Sequence, residues 1–176
     1  MKLLTIGDYD GNLSLYEAQL KQFILMHQRG INVTIMGKFS DEIATLLANK
    51  NVPFVINKAH QKKDITFIKQ LQSYVEENKI DIIHVFGGNN TSNTCIAFKK
   101  NKKVKIIGYM GSTSIHWHDP SAYKTYLNPR IDAIICNSKD NARHFKKQLF
   151  FNKNKVYSIY KGYDVSWFDG VLPADL

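Results

Sequence analysis

Cysteine is scarce in this chain. Cys95 and Cys136 are the only two in 176 residues, with no CxxC pair and no histidine beside either at metal-ligand spacing. That pattern argues against a structural zinc site, and no metal is expected. Two cysteines without a secretory signal fit a reducing cytosol, and the opening "MKLLTIGDYDGN" holds too short an apolar run for a signal peptide. Apolar runs long enough to cross a membrane, about 18 residues, are also missing. So are three catalytic signatures. The first glycine loop reads Gly7-Asp8-Tyr9-Asp10-Gly11 rather than GxGxxG, and neither GxxxxGK[ST] nor GxSxG occurs. These absences count against dehydrogenases, P-loop NTPases and α/β-hydrolases. Acidic residues are outnumbered, 15 against 24 Lys plus Arg, for a net charge of +9. The surplus favours anionic partners such as nucleotides, anionic lipid or nucleic acid, without choosing among them.

What is present is an alternation. The chain is 44% hydrophobic, enough for one domain with a buried core. Short β-branched runs at 2–6, 31–36, 52–56, 81–86, 104–109, 132–136 and 155–160 read as strands. Amphipathic stretches at 13–29, 41–49, 64–78, 91–101 and 139–150 read as helices. Leu13, Tyr16, Leu20, Phe23, Ile24 and His27 share one face of the first helix; Ile65, Ile68, Leu71 and Val75 face inward from the third. Ser40 is a candidate N-cap and Gly30 a helix stop. Cys136, in "AIIC", reads as a small core residue. Strand and helix in turn imply an α/β fold: a Rossmann-like, doubly wound, mainly parallel sheet of order 3-2-1-4-5-6-7.

Ligands of such sheets bind beyond the carboxyl ends of the strands. Here those ends carry "GDYDGN", "FGGNN", "MGSTSIHWHD" and "NSKD", while the opposite loops are rich in Lys and Asn. Gly87, Gly88, Asn89 and Asn90 are expected to form a loop whose amides suit sugar hydroxyls. His84, just before it, reads either as a ligand-reaching imidazole or as a satisfied core histidine. Gly111, Ser112 and Thr113 let the backbone approach a ligand, and Trp117 offers an apolar face. Ser138 reads either as a ligand contact or as the N-cap of the next helix. Arg143, Lys146 and Lys147 with Phe145, Leu149, Phe150 and Phe151 make a basic, aromatic stretch that reads as a helix seating its Phe residues on the sheet.

Four segments, in order, carry a resemblance: "GNLSLYEAQLKQFILMHQRGINVTIM", "KIDIIHVFGG", "IDAIICNSKDNARHF" and "KVYSIYKGYDVSWF". Together they resemble the amino-terminal half of family-4 glycosyltransferases. The resemblance implies a GT-B architecture of two Rossmann-like domains around a cleft. Residues 1–168 would be the acceptor-binding domain, and 169–176 the start of a linker to a carboxy-terminal, donor-holding domain. It implies a retaining enzyme that transfers a sugar from a nucleotide-sugar donor to a sugar or lipid-linked acceptor. No cofactor, no metal and no nucleic-acid partner are expected; the location implied is the cytosol, at or near the inner membrane face, with peripheral membrane contact. This half alone is expected to be inactive. The alternative is a non-catalytic Rossmann-like module binding a small anion or nucleotide. In the family, the loop holding Gly11 and Asn12 approaches the donor phosphates, where free N–H groups of a helix start suit an anion; the plain reading is a turn and N-cap. Asp8 and Asp10 would repel phosphate but suit sugar hydroxyls. The family often places a catalytic-site histidine where this chain has Met110. Either that role is lost, or His118 or His116 supplies the imidazole, with Asp119 to orient it.

Overall fold

The computed structural model describes residues 1–160 and 162. The "GYDVSWF" end of the fourth resembling segment and the expected linker therefore lie largely outside the described residues. Seven strands form one all-parallel sheet: β1 (Lys2–Ile6), β2 (Asn32–Gly37), β3 (Phe54–Ile56), β4 (Ile82–Val85), β5 (Lys105–Met110), β6 (Ala133–Cys136) and β7 (Val156–Ser158). Their order is β3-β2-β1-β4-β5-β6-β7, as the sequence implies. Five helices connect them: α1 (Leu13–Gln28), α2 (Asp41–Asn49), α3 (Ile65–Asn78), α4 (Gly88–Ala97) and α5 (Lys139–Gln148).

The order reverses at β1, so right-handed crossovers send α1 and α2 to one face and α3, α4 and α5 to the other. Strand alternation then feeds two cores. Leu3, Val33 and Ile35 pack with Leu20, Phe23, Ile43 and Leu47. Leu4, Ile6, Ile83 and Ile106 pack with Phe67, Leu71, Phe98 and Phe145. Cys136 is buried in this second core, and burial pushes its thiol up to about 11, so it is inert packing.

Several local expectations are corrected. Ile65 opens α3 from the solvent side, about half exposed, and Phe67 takes the inward position. Asp64 is the N-cap, accepting from Phe67 N at 3.0 Å. Ser40 occupies the N-cap position of α2, but its side chain makes no capping bond. α5 ends at Gln148, so Phe145 seats on the sheet whereas Phe150 and Phe151 project into solvent. The largest difference is α4. It begins at Gly88, three residues earlier than the pattern suggests, so Gly88, Asn89 and Asn90 form its first turn rather than a loop. Gly87 makes the abrupt entry possible with a φ of +82°, costly for any residue with a Cβ. The polar stretch from Asn90 to Thr94 is buried, because Asn93 donates to the carbonyls of Gln61 and Asn89 and accepts from Asp64 N, and Ser92 donates to Lys62 O. These bonds tie the connection after β3 to α4.

At the opposite edge, Arg130 is almost fully buried. Its guanidinium donates to the carbonyls of Phe98 (2.7 Å), Asn101 (2.7 Å) and Val104 (2.5 Å) and to Asp132 Oδ2 (2.6 Å). A rigid five-donor fork suits this closure; a lysine would leave carbonyls unmet.

Candidate functional site

The crevice between β1 and β4 is where the strand order changes direction, the place where ligands of open α/β sheets gather. One wall is the loop after β1. Tyr9 is buried within it, stacked on Phe39 at 5.7 Å and accepting from Gln19 Nε2 at 3.0 Å through its hydroxyl. Its backbone N–H donates to Lys38 O, and its carbonyl accepts from Ser40 N. The loop passes so close to β2 that a Cβ on Gly37 would land on the Gly7 carbonyl oxygen. With Tyr9 fixed inward, Asp8 and Asp10 flank it. Asp10 pairs with Lys38 at 3.0 Å, and that contact holds its carboxyl below the ordinary value. Asp8 differs. Burial pushes its carboxyl upward, and nearby Asp10 adds to this, against the opposing pull of Lys58, Asn90 and Lys38.

The other wall is the start of α4. Asn90 is buried; its Nδ2 donates to Phe86 O at 3.1 Å, while its Oδ1 is covered and has no partner. A buried amide oxygen without a donor is costly, so Asn90 is held at this position against a penalty. Asp8 and Asn90 thus form a polar pair across the crevice.

Among the helix starts on this edge are those of α1 behind Gly11 and Asn12, α4 behind Gly87, and α5 behind Ser138. Asn12 holds the N-cap position of α1 without a side-chain capping bond; its carbonyl takes the Leu15 N–H at 3.1 Å, so an anion at this turn would meet the N–H groups of Leu13 and Ser14. Ser138 does cap its helix, accepting from Asn141 N at 3.1 Å. Gly111 is reached through Asn137, whose Nδ2 donates to Gly111 O at 3.4 Å and whose Oδ1 accepts from Asn141 at 2.6 Å. Ser112 hydrogen-bonds Ser114 at 2.8 Å. Gly11, Asn12, Gly87 to Asn90, Gly111, Ser112 and Ser138 are therefore gathered on one edge.

His84 lies below that edge, on the α1 side of the sheet. Its Nε2 is covered and unpartnered, so it is not a satisfied core histidine. Phe86 packs on the ring at 4.4 Å between centroids, and burial lowers its pKa to about 4, so it is neutral. It lines a cavity of about 560 Å³ with Phe86, Tyr109, Gln22 and Ile159.

His116 and His118 are not brought to the crevice. The loop after β5 turns down the flank of α5. Ile115 O meets His144 Nε2 at 2.9 Å, and the backbone N–H of Trp117 donates to Gln148 Oε1 at 3.1 Å. His116 stacks on His118 at 5.3 Å and meets His144 edge-on at 5.2 Å. At roughly 1.5 Å of rise per residue, Gln148 lies about 15 Å along α5 from Ser138. Asp119 makes no hydrogen bond to either imidazole; it caps a short 3-10 turn, Pro120–Lys124, by accepting from Ser121 N and Oγ, both at 2.8 Å. Asp8 and the buried Asn90 oxygen are the site features that sequence reasoning did not single out as a pair, since only the fold joins positions 8 and 90. Among the described residues no group of His, Cys, Asp and Glu is arranged to hold a metal ion.

Comparison with known proteins adds three findings. The family model "Glycosyltransferase Family 4" matches residues 25–167. Among curated protein sequences there is no match. Solved structures match in fold. A glycosyltransferase from Rickettsia africae superposes with a TM-score of 0.73 at 15% identity, covering 98% of this chain and 46% of that one. Anabaena HepE in complex with UDP-glucose gives 0.71 at 13% identity, covering 96% and 46%. MnaA of S. aureus with UDP gives 0.62 at 16% identity, covering 96% and 51%. The chain thus spans about half the length of the proteins whose fold it shares.

Proposed function

We propose, from the premise that this chain belongs to glycosyltransferase family 4, that it is the acceptor-binding half of a retaining transferase using a nucleotide-sugar donor. The supporting observation is the crevice at the switch point, where Asp8 and Asn90 face each other beside the open start of α1. An acceptor hydroxyl can donate to the Asp8 carboxylate, which Asn90 holds in place from the start of α4. The first turns of α1 and α4 present N–H groups to phosphate oxygens of the donor. HepE and MnaA, whose folds this chain shares, bind UDP-glucose and UDP respectively.

The division of labour follows from the chemistry. Retaining transfer needs an acceptor oxygen held against the anomeric carbon on the leaving group's face. Orientation of that kind supplies much of the barrier reduction. The acceptor half fixes one reactant only, so the isolated chain is expected to bind without turning over. No cofactor enters; the nucleotide sugar is itself a substrate, and the cytosol supplies it.

The test is sugar transfer by a full-length protein carrying this domain, screened against nucleotide sugars, with the anomeric configuration of the product read by NMR. A retained configuration, lost activity in Asn90→Leu, and no transfer by the 176-residue chain are expected. Donor binding without transfer to any acceptor would instead establish the non-catalytic module.

A further inference from the structure

The amino-terminal edge of the sheet, opposite the crevice, holds a second concave site. The segments entering β6 and β7, together with the end of α5, enclose a cavity of about 670 Å³. Leu127 and Ile131 floor it, and Tyr123, Phe150, Phe151 and Tyr157 line its walls. All four wall residues are exposed, Phe151 to 81%. Trp117 meets Phe150 edge-on at 5.9 Å and extends the aromatic wall. Leaving such a set of aromatics in water is unfavourable. Small-ligand pockets span roughly 300–1,000 Å³ and pair apolar walls with a few polar groups, which is the make-up of this cavity.

Its walls are fixed in advance. Arg130 ties the segment entering β6 to the carbonyls of Phe98, Asn101 and Val104. Lys155 Nζ donates to Ile131 O at 3.0 Å, joining that segment to the start of β7. Tyr123 Oη donates to Trp117 O at 2.9 Å. Asn152 turns the chain from α5 toward β7 with a left-handed φ of +56°. A cavity ordered beforehand loses little freedom when a ligand enters.

The polar lining identifies the ligand. Asp132 and Lys155 are the charged groups of the lining, and both are committed. Asp132 serves Arg130, Lys105 and Ile106 N, and Lys155 serves Ile131 O. Gln148 is spent on Trp117 N and His144 O. The side-chain amides of Asn152 and Asn154 remain, both exposed and without a hydrogen bond among the described residues. Neutral amides donate and accept at once, as hydroxyls require, while aromatic rings pack against apolar C–H faces. A pyranose has both surfaces. A phosphate or carboxylate would find no uncommitted cation in the lining.

We propose that this cavity binds a neutral oligosaccharide, with the aromatic walls against its C–H faces and Asn152 and Asn154 on its hydroxyls. The site lies at the far end of α5 from Ser138, so a glycan held there leaves the crevice free. The inference does not depend on the transferase reading, because binding is measured without chemistry.

The test is an amide NMR titration of the isotope-labelled chain with neutral tetrasaccharides of the gluco, galacto, manno and N-acetylglucosamine series. At least one series is expected to shift the side-chain amide signals of Asn152 and Asn154 and to leave the backbone amides of Asp8 and Asn90 in place. Phe151→Ala and Tyr157→Ala should each weaken that binding by about tenfold. Asn152→Gly keeps the left-handed turn while removing the amide, and should weaken it by about fivefold. All three positions are exposed, so urea midpoints should change little. No shift with any series, shifts confined to Asp8 and Asn90, or affinity indifferent to all three substitutions would overturn the proposal. So would a dimer, seen by analytical ultracentrifugation, that Phe151→Ala dissolves, since a second copy would then be the occupant.

Discussion

Lowering the pH from 7 to 5 should destabilise the fold through His84. In the native state its Nε2 is covered, Phe86 packs on its ring, and burial lowers its pKa to about 4 from an ordinary 6.5. Unfolding returns the ring to water and to its ordinary value. Below that value the unfolded chain takes up a proton that the native state refuses until the pH nears 4. Stability from this group is therefore whole above pH 6.5 and lost progressively as the pH falls toward 4. Between pH 7 and 5 the loss is about 2 kcal/mol, a large fraction of a typical domain's stability. Urea denaturation at both pH values, on the native sequence and on His84→Phe and His84→Gln, measures it. Both variants should be flatter by about that amount, because neither side chain titrates there. If all three proteins lose stability equally, the imidazole is solvated or partnered in solution and the desolvation reasoning fails.

Further outcomes follow from other sites. Gly37→Ala, whose Cβ would strike the Gly7 carbonyl, should cost about 2 kcal/mol or more in urea denaturation. Arg130→Met should cost roughly 3–5 kcal/mol by leaving Asp132 and three carbonyls without their buried donor, and Arg130→Lys should recover only part of it. In a full-length transferase, Asn90→Leu should lower kcat/KM for the acceptor by ~10²-fold, whereas His118→Ala, on the flank of α5, should change it by less than about tenfold. A large loss from His118→Ala, with none from His60→Ala, would show that the loop after β5 swings to the crevice and that an imidazole does replace the one absent at Met110.

The sheet was legible because its strands are continuous apolar runs separated by helical periodicity, and two-sided burial enforces that pattern. Crossover handedness then left one strand order. The start of α4 was not legible. Gly-Gly-Asn-Asn-Thr reads as a loop by local propensity, and only long-range bonds from Asn93 and Ser92 to the connection after β3 make it helical. The role of Arg130 was hidden for the same reason: its acceptors lie about 30 residues away in sequence. Of the candidate site, the glycine and amide cluster was legible from the carboxyl-edge loops. The path of the histidines was not, since it is set by His144 and Gln148 of α5 rather than by the loop itself.

The central claim, that the β1/β4 crevice holds the acceptor, is tested most directly by acceptor kinetics of a full-length transferase bearing Asp8→Asn. Acceptor KM should rise or kcat should fall by ~10²-fold, with the KM for the nucleotide sugar nearly unchanged. An unaltered acceptor dependence, or an effect confined to the donor, would contradict it.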